Sequence, residues 1–74
     1  MDHALQALTS LAEVANETGS HKYEIIPFAL GFIPFKNNVN MTVDIGHSFI
    51  GVARWLLSEI EDNLNNSKGG ISYE

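Results

Sequence analysis

The spacing of hydrophobic positions changes character three times along this chain. Leu5, Leu8, Leu11, Ala12 and Ala15 recur three and four residues apart behind Asp2, a good N-cap residue, which predicts a helix over about 2–17. Its other face, His3, Gln6, Thr9, Ser10 and Glu13, is polar, as a solvent side should be. Thr18, Gly19 and Ser20 end it, with Gly19 suited to the left-handed conformation that follows a helix.

From Glu24 to Phe35 the periodicity vanishes. Ile25, Ile26, Phe28, Ala29, Leu30, Phe32, Ile33 and Phe35 are interrupted only by Pro27, Gly31 and Pro34. The prolines oppose a helix, the aromatic and β-branched residues favour a pleated strand, and proline keeps that strand away from the middle of a sheet. The triplet Ile26-Pro27-Phe28 recurs as Ile33-Pro34-Phe35, which reads as coincidence in a short apolar segment, far below the size of true repeat units. In one continuous strand the odd spacing would turn the two copies to opposite faces, so either both faces are covered or the chain bends at Gly31.

Past the turn-like cluster Lys36-Asn37-Asn38, the pattern alternates strictly, with Val39, Met41, Val43 and Ile45 on one side and Asn40, Thr42 and Asp44 on the other. The expected pairing is an antiparallel hairpin, about 28–35 against 39–45, within strand segments 23–35 and 39–45. Gly46 breaks the alternation, and Asp44 or Ser48 can cap the next helix, predicted over about 47–66. Its stripe is Phe49, Ile50, Val52, Ala53, Leu56, Leu57, Ile60 and Leu64. Residues 67–74 read as a loose tail, with Ile71 and Tyr73 available for a short added strand. The fold class expected is α+β: a helix-strand-strand-helix domain with both helices on one face of a short antiparallel sheet.

Composition narrows the function classes. A single domain of 74 residues buries a modest core, and with no cysteine both disulfides and cysteine-ligated zinc are excluded. Self-association would ease that shortage, and the apolar run offers Ile26, Phe28, Phe32 and Phe35 to a second copy, so a homodimer is expected. The net charge of −5, with Lys22, Lys36, Arg54 and Lys68 dispersed, argues against nucleic acid. It also argues against an anionic membrane surface, and the apolar run is too short and proline-broken to span one. An amino terminus beginning with Asp2 and His3 lacks the basic start of a secretory signal, so a cytoplasmic protein is expected.

No residues group as a catalytic or metal site. His3, His21 and His47 lie in separate segments, and Asp44, His47 and Ser48 are too close in sequence for triad geometry. Gly46 and Gly51 lack the spacing and lysine of a phosphate loop, so neither catalytic residues nor a cofactor or metal are expected. Two features remain. Trp55 falls outside the apolar stripe beside Gly51, the composition of an interface anchor. Glu59 and Asp62, with Glu61, cluster late in the second helix, where negative charge is disfavoured. Trp55, Glu59, Asp62 and Gly51 are therefore the candidate partner-binding residues, for a protein with a basic surface. The function expected is a non-enzymatic adaptor or inhibitor acting by protein–protein interaction, in the style of phage or mobile-element accessory proteins. The alternative is a module for small apolar ligands with its pocket at a dimer interface.

Overall fold

The computed structural model describes the backbone of residues 3–71 and the side chains of residues 3–66. The chain forms α1 (His3–Thr18), β1 (Tyr23–Phe28), β2 (Gly31–Lys36), β3 (Val39–Asn40), α2 (Thr42–Ile45) and α3 (Phe49–Ile71). The strands form one antiparallel sheet in the order β1-β2-β3, with α1 and α3 layered on one face. The α+β class is therefore as the sequence predicts, while the division of the strands is not.

The apolar run is a hairpin in itself. It folds back at Ala29-Leu30, so that Phe28 pairs with Gly31, Ile26 with Ile33 and Glu24 with Phe35. The closing pair of a two-residue hairpin exchanges hydrogen bonds, and bonded pairs then alternate with non-bonded ones. Pro27 and Pro34 fall in the non-bonded pairs, opposite Phe32 and Ile25, so their missing N–H costs this ladder nothing.

The segment expected as a strand over 39–45 is instead two residues of β3 and the single turn of α2. Asn37 and Asn38 both take positive φ, 53° and 69°, and make the tight turn into β3. Met41 then donates its N–H to the Pro34 carbonyl at 2.8 Å, but Pro34 has none to return, and the ladder stops. The Asn40 side chain accepts the Thr42 N–H at 2.8 Å and starts the helical turn in place of further strand. Alternation there does not mark a buried side: Val43 is 96% exposed.

Leu8, Ala12 and Ala15 of α1, Tyr23 and Phe32 of the sheet, and Val52 and Leu56 of α3 form the core. Ser48 caps α3, its hydroxyl accepting the Gly51 N–H at 3.0 Å. The helix continues to Ile71, so the expected stop near 66 is corrected and Ile71 does not add a strand. Asp2 and Tyr73 lie outside the described residues. Gly19 has no positive φ; its bare Cα instead admits the Asn63 side chain, which a Cβ would meet at 2.9 Å. No helix among the described residues is long and apolar enough to cross a membrane.

Candidate functional site

The hairpin β1-β2 has two unlike faces. By alternation, Tyr23, Ile25 and Pro27 lie with Phe32, Pro34 and Lys36 on the inner face, against the helices. Glu24, Ile26 and Phe28 lie with Gly31, Ile33 and Phe35 on the outer face. Ile26 and Phe28 remain 41% and 43% exposed, and Ile33 and Phe35 are half-buried. The chain beyond α2 crosses one end of this face. There the His47 carbonyl accepts the Phe32 N–H at 3.0 Å, and its ring meets Phe28 edge-on at 5.5 Å.

The repeated triplet acquires a geometric meaning from this register. A two-fold axis through the Ile26–Ile33 pair carries Ile26 onto Ile33, Pro27 onto Pro34 and Phe28 onto Phe35. Both prolines point inward, and the two isoleucines and two phenylalanines make an apolar diagonal on the outer face. Of the residues expected to mediate self-association, Ile26, Phe28 and Phe35 belong to this face. Phe32 does not: it is 8% exposed within the core, its ring 6.5 Å from that of Phe49.

The free edge of β1 is closed to strand addition at two of its outward positions. Asn16 of α1 accepts the Tyr23 N–H through Oδ1 and donates Nδ2 to the Tyr23 carbonyl, as a neighbouring strand would. Pro27, the other end of that edge, has no N–H to offer.

The residues expected to bind a partner occupy the inner side of the sheet and its rim. Trp55 is half-buried, packed on the core and edge-on to Tyr23 at 5.6 Å. Glu59 accepts the Tyr23 hydroxyl at 2.6 Å and pairs with Lys36 at 2.8 Å, with 17% of its side chain exposed. Asn63, 7% exposed, donates to the Tyr23 hydroxyl and to Thr18 Oγ1, each at 3.3 Å. Gly51 leaves room for the Ser48 hydroxyl and the Ile45 carbonyl, which a Cβ would meet at 2.9 and 3.1 Å. Asp62 alone of the four is exposed.

This cluster shifts its own ionisations. Burial pushes the Tyr23 phenol up to about 12, and its bond to Glu59 adds to the effect. Burial works against the Glu59 carboxylate too, but the Lys36 ammonium and the Tyr23 hydroxyl outweigh it and hold the pKa below its ordinary value. A proton held by the phenol and a charge fixed on the carboxylate are arrangements for stability, since neither is poised to exchange near neutral pH.

Beside the cluster lies a cleft of ≈ 280 Å³ lined by Thr18, Gly19, Ser20, His21, Asn63 and Asn66. Its lining residues are polar side chains and a glycine, without the hydrophobic and aromatic side chains that dominate the pockets of apolar ligands. Among the described residues no group of three acids or histidines could hold a metal ion.

The architecture defines the class: a two-layer α+β domain, a three-stranded open sheet carrying two helices. Comparison with family models, with curated proteins and with solved structures gives no match to this chain. The sequence signal for the outer face was the Ile-Pro-Phe repeat. The Tyr23–Glu59–Lys36 cluster had no local signal, because its members are brought together only by the fold.

Proposed function

We propose that this is a protein–protein interaction module, an adaptor or inhibitor that works by binding and not by catalysis, with the outer face of the β1-β2 hairpin as its docking surface. The observation that carries the reading is the diagonal of Ile26, Phe28, Ile33 and Phe35, with Ile26 and Phe28 exposed and Ile33 and Phe35 half-buried, on a sheet whose other face carries the helices. Exposed apolar side chains gathered on one face are the composition of a docking site. Glu24, exposed beside Phe35, adds an acid to its rim, and the net charge of −5 favours the same partner: an apolar surface bordered by basic residues. The reading moves the anchor from Trp55 and Glu59, which have partners within the chain, to Phe28 and Ile26. It also places the action in the cytoplasm, in keeping with a cysteine-free sequence.

The test is affinity capture with wild-type protein and with the doubly substituted Ile26→Lys/Phe28→Lys protein as baits, each first checked for native circular dichroism. A partner should be retained by the wild type, lost by the variant and released by raised salt. Equal retention by both baits would sink the assignment of this face.

A further inference from the structure

The helical layer has its own apolar surface on the side away from the sheet, where Ala53 and Ile60 lean on the core and their neighbours stay exposed. In α3 the buried residues Val52, Leu56 and Asn63 mark the inward direction. Trp55 and Glu59 lie to one side of it, turned toward Tyr23. At 100° per residue, Ile50, Ala53, Leu57, Ile60 and Leu64 lie to the other side. These five fall at alternating three- and four-residue steps, the seam of a heptad repeat. Ile50, Leu57 and Leu64 are 59%, 54% and 47% exposed. On α1, Asn16 faces the β1 edge, and the opposite flank carries half-buried Leu11 and exposed Val14. Both helices therefore turn an apolar flank away from the sheet.

The charges beside the seam identify what covers it. Arg54 and Glu61 follow Ala53 and Ile60 on its solvent side, and both are exposed. They stand seven residues apart, about 10 Å along the axis, too far to pair within one helix. Among the described residues neither has an ion-pair partner. The other side of the seam is occupied by Leu56 and Asn63, which are buried in the chain's own core.

We infer that α3 pairs with α3 of a second copy, antiparallel about a two-fold axis between Leu57 and Ile60. In that register Arg54 faces Glu61 of the second copy, and Glu61 faces its Arg54, so one symmetry operation forms both ion pairs. A parallel pairing would set both charges against Leu56 and Asn63 and leave them without partners. The contact is helix to helix, and Asn16 and Pro27 disfavour the competing route of β1 pairing with β1 across its free edge. It lies on the opposite layer from the hairpin face, so it stands or falls independently of the proposed function.

The experiment is sedimentation equilibrium of the full chain over a wide concentration range. The expected result is a monomer of 8.2 kDa in equilibrium with a dimer. Arg54→Glu and Glu61→Arg should each weaken the dimer roughly tenfold by setting like charges across the seam, with circular dichroism unchanged. The double variant Arg54→Glu/Glu61→Arg should recover the wild-type constant, while Phe28→Lys leaves it unaltered. A strict monomer at every concentration would overturn the inference. So would single variants that match the wild type, a double variant no better than the singles, or a dimer abolished by Phe28→Lys.

Discussion

Substituting Tyr23→Phe removes one oxygen atom from the centre of the polar cluster and leaves the ring against Trp55. The phenol donates to a charged carboxylate at 2.6 Å and accepts from Asn63 at 3.3 Å. A hydrogen bond to a charged group contributes about 1.5–3 kcal/mol and a neutral one about 1 kcal/mol, partly offset because the hydroxyl no longer has to be buried. A net loss of about 2 kcal/mol follows, most of it from the bond to Glu59. The pH dependence is a separate quantity: burial first, and then the bond to Glu59, raise the phenol's pKa from 10.0 to about 12, so ionising it costs about 3 kcal/mol more in the folded chain than in the unfolded one. Because the folded value lies above the unfolded one, this contribution is complete below pH 10 and lost as pH climbs toward 12. The assay is urea unfolding followed by Trp55 fluorescence, for both proteins, at pH 7 and at steps through the alkaline range. The lysines are common to both, so the difference between the proteins isolates the phenol. The variant should be weaker at pH 7, and the gap should close as pH rises. Equal stability at pH 7, or alkaline losses that run parallel, would refute the reasoning.

Two further changes probe how the sheet is held. Asn16→Ala takes away both groups that cover Tyr23 at the β1 edge; it should cost about 1–3 kcal/mol and raise light scattering on warming, as that edge opens to strand addition. Gly31→Ala would drive a Cβ into the His47 carbonyl oxygen, a backbone atom that itself accepts the Phe32 N–H. The strain should lower the urea midpoint by the equivalent of about 2 kcal/mol or more, and a midpoint equal to the wild type's would show that the crossing segment moves freely.

The two long helices were legible in the sequence because their signal is local: Leu8, Ala12 and Ala15, then Val52 and Leu56, mark their buried faces by spacing alone. The first hairpin was legible only as one of two alternatives, a bend at Gly31, because its two turn residues, Ala29 and Leu30, carry none of the glycine, asparagine or proline chemistry that announces a tight turn. The second turn, Asn37-Asn38, carries that chemistry and was recognised, but the strand after it was overextended. What ends β3 is Pro34, a residue of the neighbouring strand, and no pattern within 39–45 reports it. The same limit applies to Glu59. Its position predicts a free acid, while Lys36 and Tyr23, 23 and 36 residues away in the chain, make it part of the interior scaffold. Trp55 likewise reads as an outlier on its own helix because the ring it packs on belongs to β1.

The two-fold character of the Ile-Pro-Phe hairpin bears on direction. A helix or strand laid across the outer face meets the same order of isoleucine and phenylalanine whichever way it runs, so the apolar contacts cannot tell its amino end from its carboxyl end. In residue type the symmetry of this face fails at one pair of equivalent positions: Glu24 on one side corresponds to Gly31 on the other, where the backbone of His47 closes in. Orientation of a bound segment is set by what breaks that symmetry: a carboxylate at one corner, a wall of main chain at the other, and the greater exposure of Ile26 and Phe28.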